Sequence, residues 1–354
     1  MNTMLETDQS KPVMVTGATG YVAGQLIKRL LEEGFTVHGA VRDPDNAEKL
    51  KYLNELAANN PGSIRYFKAD LLEEGSYLES MEDCQVVFHT ASPFTIQVKD
   101  PQRDLVDPAV KGTANVLESV NKTESVKRVV LTSSCASIYG DNRDILSYPN
   151  GVMTEAQWNT SSTLDHNPYS FSKVQAERKA WDINEAQDRW DLVVINPSFV
   201  LGPGINPRGT SESYNIMKQF GDGTMKMGVP KVGMSCVDVR DVAEAHYRAA
   251  FIPEAEGRHI VSGESLDFFS LAQLLQEKYG TQYPLPKSAM PKWLVWLVGP
   301  IAGFSRQYVK DNVNLGCPAD NTKSREALGI DYIPIKTSIN EFFQQIIDSG
   351  VFKK

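Results

Sequence analysis

From residue 12 to residue 197 the chain alternates short apolar runs with stretches in which apolar residues recur at helical spacing. The runs are 12–16 (PVMVT), 35–42 (FTVHGAVR), 63–69 (SIRYFKA), 85–91 (QVVFHTA), 126–133 (VKRVVLTS) and 191–197 (DLVVINP). Several are apolar without interruption, the pattern of parallel strands covered on both faces. Helical stretches such as GQLIKRLLEEG and GTANVLESVNK lie between them, and Gly34 follows Glu33 where a glycine ends a helix. The alternation predicts an α/β fold: a doubly wound parallel sheet of the Rossmann type with right-handed crossovers. Ligands of such sheets sit at the carboxyl ends of the strands.

After Pro197 the rhythm loosens. LGPGINPRGTSES reads as a loop, CVDVRDVAEAHYRAAF as a strand end running into a helix, and SLAQLLQEKYG as a helix with a glycine stop. The expected division is a cofactor domain of residues 1–201 and 236–262, with a smaller, interleaved substrate domain of 202–235 and 263–354. The most apolar run, 293–304 (WLVWLVGPIAGF), is too short to span a bilayer and is broken by Gly299-Pro300. It reads as a buried helix.

Composition narrows the picture. The 354 residues carry a formal net charge of −8, which argues against a nucleic-acid surface. Cys84, Cys135, Cys236 and Cys317 are far apart with no C-x-x-C pair. They suit neither a zinc site nor a disulfide framework, so no metal is expected and a reducing, cytoplasmic setting is. The opening MNTMLETDQSK has no apolar run and reads as a short leader rather than a signal peptide. The expected partner is a small molecule, with no nucleic acid and no membrane, for a monomer or homodimer.

The stretch VMVTGATGYVAGQLIKRLL places Gly17, Gly20, Ala23 and Gly24 between the first strand and the first helix. Gly17 suits the tight turn, and Gly20 lets backbone N–H groups approach a pyrophosphate at the positive helix end. This is the context a dinucleotide site requires. At the tip of the second strand an acidic residue would bond the ribose 2′-hydroxyl of NAD, whereas arginine would pair with the 2′-phosphate of NADP. Arg42 occupies the tip, with Lys49 beyond it, so NADPH is expected over NADH. Asp43 is the competing signal, although DPDN also reads as a turn and helix cap. Asp70 could reach the adenine or cap a helix. His89, in the HTASP turn, reads as a packed strand residue.

Four Tyr-x-x-x-Lys matches occur: Tyr169/Lys173, Tyr214/Lys218, Tyr283/Lys287 and Tyr332/Lys336. Internal prolines in YPLPK and YIPIK disfavour the helix that would bring the last two pairs together. Tyr214 can be helical but lies outside the strand–helix alternation. Tyr169 follows Asn167-Pro168, a helix-start signal, in the segment between the fifth and sixth strands. The fifth strand ends in LTSSC, so Ser133 and Ser134 lie at its tip. Serine, tyrosine and lysine together suit carbonyl reduction. A free tyrosine ionises near pH ~10, and an ammonium and a cofactor charge beside it lower that value. Such a tyrosine protonates the carbonyl oxygen as hydride arrives on carbon, while the serine hydroxyl fixes that oxygen.

The pieces TGATGYVA, VRDPDN, HTASPF, RDLVDPAVKGTANVLES, RVVLTSSCASIYG, YSFSK, INPSFVLGP and VDVRDVAEAH occur here in one order. In them the chain resembles the extended short-chain dehydrogenase/reductases, in particular the dihydroflavonol reductase, cinnamoyl-CoA reductase and fungal-type methylglyoxal/aldehyde reductase branch. The resemblance implies Ser134, Tyr169 and Lys173 as a catalytic triad, with Ser133 as the fallback if the register differs by one. It implies a cofactor site of Gly17, Thr19, Gly20, Tyr21, Val22, Arg42, Lys49, Asp70, Leu71, Thr90, Ala91, Ser92, Thr132, Tyr169, Lys173, Pro197 and Ser198. Phe94 and Phe199, with Ser134 and Tyr169, are the expected substrate contacts. Glu155 and Trp158 read as structural. Cys135-Ala136 stands where sugar dehydratases of the superfamily carry an acidic pair, which speaks against dehydration. The leading expectation is an NADPH-dependent aldehyde or ketone reductase. A nucleotide-sugar epimerase, which would need a basic clamp from residues such as Arg208, Arg240, Arg258 and Arg306, and a non-catalytic NADP(H)-binding sensor are the alternatives.

Overall fold

In the computed structural model the described residues are 10–92 and 98–352. Most of the expected leader and Phe94 lie outside them. The six apolar runs become β1 (Val13–Thr16), β2 (Thr36–Val41), β3 (Ser63–Lys68), β4 (Val86–His89), β5 (Arg128–Thr132) and β6 (Asp191–Pro197). They are followed by β7 (Phe199–Leu201), β8 (Val229–Pro230), β9 (Gly233–Asp238), β10 (Gly257–Val261), β11 (Glu264–Asp267) and β12 (Ala289–Met290). Among the described residues seven strands form one sheet in the order β10-β6-β5-β4-β1-β2-β3, with every pairing parallel. The chain leaves β1 toward β2 and β3 on one side and returns to β4 on the other. The crevice beyond the ends of β1 and β4 is therefore the topological switch point, where ligands of this architecture bind.

Both sheet faces are covered, which explains the uninterrupted apolar strands. One face packs against helices Tyr21–Glu32 and Val239–Phe251, with Leu26, Leu30, Val242 and Phe251 in the core. The other packs against helices Asp107–Asn121 and Pro168–Glu185 through Val116, Val120 and Ala180. Gly34 lies just past the first helix at φ +86°, as its place in the sequence predicts.

A second sheet, β11-β9-β7, draws strands from both sides of the boundaries expected at residues 201, 236 and 262. Between β6 of the main sheet and β7 of the second lies Ser198 alone, so the two sheets meet at the ligand end of β6. Helices Glu212–Gly221, Phe268–Tyr279 and Ile335–Asp348 pack with this sheet around a core containing Met217, Leu275 and Phe342.

The run 293–304 departs from expectation. Its helix, Lys292–Val298, buries Val295 against Val309 and Val313. Trp293, Trp296, Leu297 and Phe304 face solvent, and Ile301 is 91% exposed. The expectation of a buried helix is wrong because this short helix rests on a small valine cluster beside the equally short helix Arg306–Asn312. Such a seat can cover one face only. No described helix is long and apolar enough to cross a membrane.

Candidate active site

The site begins at the turn after β1. Gly17 holds φ +61°, and a Cβ there would lie 3.0 Å from the Ala91 Cβ. Both the left-handed backbone and the close approach of the turn after β4 require glycine. The Gly20 N–H donates to the Gly17 carbonyl at 2.8 Å. Gly20 then caps the helix Tyr21–Glu32 without any side-chain cap. The positive helix end therefore opens on a cavity lined by Thr19, Gly20 and Tyr21, a cradle that fits a pyrophosphate.

Backbone and hydroxyl contacts lock the turn after β4 to β1. Thr90 Oγ1 donates to the Thr16 carbonyl at 2.6 Å, and the Ala91 N–H donates to Thr16 Oγ1 at 2.9 Å. Thr16 Oγ1 also lies 3.0 Å from His89 Nδ1. His89 is buried, and burial, helped by the nearby Lys173 charge, pushes its pKa down to about 3. It is the packed strand residue the sequence suggests.

Lys49 lines the first cavity, of about 310 Å³, across from Ile205 and Arg208 of the loop after β7. Arg42 is exposed one residue beyond β2 and is not among that lining. Asp43 accepts the Asp45 N–H at 3.2 Å, and Asn46 caps helix Ala47–Ala58 by accepting from the Lys49 N–H at 3.1 Å. The DPDN segment is thus a turn and cap. Asp70 spends one oxygen on the Leu72 N–H at 2.9 Å and lines none of the cavities described here. Leu71 lines a small pocket with Ala91, Ser92 and Lys173.

A second cavity, of about 590 Å³, shares Gly20 and Tyr21 with the first. Val22, Thr90, Ser92 and Thr132 line it, as do Pro197, Ser198 and Phe199 from the crossing between the two sheets. Ser134, Tyr169 and Lys173 come together on its wall. Tyr169 is the second residue of the helix Pro168–Glu185 and is 44% exposed. Lys173, one turn on, is buried. Its Nζ stands 5.8 Å from the centroid of the Tyr169 ring and donates to Ser92 Oγ at 3.0 Å. Asn167 occupies the N-cap position, as the sequence suggests, but in a left-handed conformation (φ 56°) and without capping. Its amide instead donates to the Gly140 carbonyl at 3.0 Å and to Asp141 Oδ1 at 3.1 Å.

The two serines at the tip of β5 differ in what their hydroxyls are doing. Ser133 is buried and donates to the Glu177 carboxylate. Ser134 is partly exposed to the cavity, and its Oγ accepts the Ala136 N–H at 3.1 Å. Its hydroxyl hydrogen is thereby available to a ligand oxygen, whereas that of Ser133 is committed.

Sequence reasoning overlooked several parts of this wall. Met153, Met234 and Ser235 also line the cavity, the last two on β9 of the second sheet. It overlooked Glu177 as well, a buried carboxylate that accepts from Arg258 Nε at 2.6 Å and from Asn196 Nδ2 at 2.9 Å. The available signal was its spacing, four residues past Lys173 on one helix face. Glu155 and Trp158 are structural here: Glu155 Oε1 accepts the Ile260 N–H at 2.9 Å, and the Arg258 guanidinium lies 4.1 Å from the Trp158 ring centroid. The four arginines considered as a clamp do not converge. Arg258 pairs with Glu177, Arg240 with Asp238 and Glu341, and Arg306 stacks on Trp296. Arg208 alone among these four lines the first cavity.

Known proteins share both sequence and fold with this chain. The profile of a family described as the NAD dependent epimerase/dehydratase family matches residues 13–263. Cinnamoyl-CoA reductase CAD2 of Medicago truncatula is 35% identical over 346 residues, covering 97% of this chain and 98% of that protein. Tetraketide alpha-pyrone reductase 1 of Arabidopsis thaliana is 38% identical over 288 residues, covering 79% and 85%. Among solved structures, yeast methylglyoxal/isovaleraldehyde reductase Gre2 complexed with NADPH superposes with a TM-score of 0.77 at 27% identity, covering 96% of this chain and 99% of that one. Gre2 of Candida albicans in complex with NADPH superposes with a TM-score of 0.76 at 29% identity, covering 97% and 100%.

Proposed function

The chain belongs to the NAD dependent epimerase/dehydratase family, and from that premise we propose that it is an NADPH-dependent reductase converting an aldehyde or ketone to an alcohol. One observation carries the reading: a single cavity, continuous with the glycine turn, gathers Ser134, Tyr169 and Lys173 beyond the carboxyl end of β5. The relatives named as cinnamoyl-CoA and tetraketide alpha-pyrone reductases support a reductase.

When bound, the reduced nicotinamide supplies hydride to the carbonyl carbon. The pyrophosphate would rest on the N–H groups after Gly17 and Gly20, with Arg42 and Lys49 toward the 2′-phosphate. Two observations support NADPH over NADH. Asp43 is occupied in its turn rather than presented to a ribose, and Lys49 lines the nucleotide cavity. The fungal structures described as NADPH complexes agree with that choice.

Tyr169 acts as the general acid, giving its phenolic proton to the carbonyl oxygen. Its exposure to the cavity lets a substrate reach it. The Lys173 ammonium stabilises the phenolate left behind, and its bond to Ser92 fixes where that charge sits. Ser134 donates its hydroxyl hydrogen to the same oxygen and sets the angle at which the carbonyl lies. Phe199, Met153 and Met234 give the substrate end an apolar wall.

The test is a panel of aliphatic and aromatic aldehydes and ketones offered with NADPH and NADH in parallel, following cofactor oxidation. NADPH-dependent turnover is expected. Absence of turnover across the panel, despite tight NADPH binding, would leave a binding protein instead.

A further inference from the structure

Beneath the cavity wall lies a buried polar network that the chemistry above does not use. Glu177 stands at its centre. Tyr169, Lys173 and Glu177 follow at four-residue spacing along the helix Pro168–Glu185, so all three lie on one face. Oε1 of Glu177 accepts from Arg258 Nε at 2.6 Å, and Oε2 accepts from Asn196 Nδ2 at 2.9 Å and from the Ser133 hydroxyl. Arg258, on β10, also donates through Nη2 to Ser137 Oγ at 3.0 Å. Its Nη1 donates to the carbonyls of Glu155 and Gln157 at 2.9 and 2.6 Å.

These contacts converge on the backbone of Ser134. The Ser134 carbonyl accepts from the Ser137 hydroxyl at 2.7 Å and from Asn196 Nδ2 at 3.3 Å. Asn196 Nδ2 also donates to Ser137 Oγ at 3.0 Å. The Ser134 carbonyl also accepts the Ser137 backbone N–H at 3.0 Å, but both side-chain donors that reach it are themselves held by Glu177 or by the arginine paired with it. A buried ion pair is weak as a source of stability, since packed apolar side chains of the same volume often serve as well. What apolar side chains cannot supply is a set of aimed donors.

We propose that Glu177 is a positioning residue, which through Asn196, Arg258 and Ser137 fixes the Ser134 tip relative to the helix that carries Tyr169 and Lys173. The inference rests on the reading of Ser134 and Tyr169 as the groups that meet the carbonyl. One element then carries the proton donor and also sets where the hydroxyl that orients the substrate stands.

The test is a double-mutant cycle on the full chain, with methylglyoxal as the carbonyl probe and NADPH as reductant. Ser137→Ala removes a side-chain donor to the Ser134 carbonyl and an acceptor of Arg258 Nη2, while leaving every charge in place and the Arg258 Nε–Glu177 contact intact. Alone it is expected to lower kcat about tenfold, the scale of a small misplacement of a reacting group, with the Kd for NADPH unchanged. In a Ser134→Ala background it is expected to cost nothing further, because the hydroxyl it positions is gone. Glu177→Gln, where it folds, should show the same dependence on Ser134. Equal losses in both backgrounds, or no loss from Ser137→Ala in the presence of Ser134, would overturn the inference while leaving the reductase intact. Full turnover by Ser134→Ala alone would instead overturn the role of Ser134, and the positioning argument with it.

Discussion

Two helices in this molecule carry the same Tyr-x-x-x-Lys spacing and use it in opposite ways. On the helix Pro168–Glu185, Tyr169 opens to a cavity and Lys173 is buried beside it. On the helix Glu212–Gly221, Tyr214 is 1% exposed, and its hydroxyl donates to the Asn206 carbonyl at 2.7 Å. Burial pushes the Tyr214 phenol up to about 12. The first tyrosine presents its proton to an outside ligand, whereas the second spends its proton on the backbone. Identical spacing on a helix therefore fixes only that two side chains are neighbours. The surface against which the helix packs decides whether they do chemistry.

The largest expected effect separates the two tyrosines directly. Tyr169→Phe should lower kcat by about 10²–10⁴-fold, the usual contribution of general acid catalysis. Tyr214→Phe should keep turnover and lower unfolding free energy by about 0.5–1.5 kcal/mol, read in a denaturant titration, because the hydrogen bond to the Asn206 carbonyl is lost. If Tyr169→Phe retained near-full activity, the contrast would collapse.

Lys173→Met should follow, lowering kcat by about 10²-fold through loss of the charge beside the phenolate and weakening NADPH in a fluorescence titration. Smaller again, Arg42→Ala combined with Lys49→Ala should raise the Kd for NADPH about tenfold, the worth of one charge-assisted contact, and leave that for NADH near its original value. Equal weakening of both cofactors would place these cations elsewhere than at the 2′-phosphate.

The smallest effect concerns a buried group of the Tyr214 kind. Asp241 accepts the Ile333 N–H at 3.0 Å, and burial pushes its pKa up to about 7. An unfolded aspartate titrates near ~3.9, so the folded chain binds this proton more tightly. The resulting stabilisation is complete below about pH 4 and is lost as pH rises through 7. His89, His246 and His259, pushed down to about 3, 4 and 3 by burial, act in the opposite sense: their contribution is present above about pH 6.5 and is lost on acidification. The melting temperature of the native chain relative to Asp241→Asn should therefore decline from pH 5 to pH 8. A constant difference would mean that Asp241 does not titrate there.

Six strands of the main sheet were legible, five of them because they are largely buried on both faces and announce themselves without reference to the rest of the fold. β3, exposed at the sheet edge, showed itself by its β-rich residues, and β10 was not among the predicted runs. The predicted run 191–197 coincides with β6, and the others differ from their strands by a residue or two at an end. The glycine turn was legible because Gly17 has both a backbone and a steric reason to be glycine. The second sheet was not, since β7 and β11 are short and join β9 across long stretches of chain. The segment 293–304 misled because apolar content records what a helix could bury, not what is beside it. The Glu177–Arg258 pair was hidden for a related reason: its members are 81 residues apart, and only the pairing of β10 with β6 brings them together.

That separation has a consequence in time. Strand β10 closes one edge of the main sheet and carries Arg258, so Glu177 leaves the ribosome well before its counter-charge is made. At about 5–20 residues per second the delay is roughly 4–16 s. Through that interval the helix bearing Tyr169 holds a carboxylate whose cationic partner has not yet been made. The order of synthesis thus makes the reactive wall of the cavity among the last parts of the main sheet to set, and a nascent chain halted before residue 258 would carry the motif without the shape.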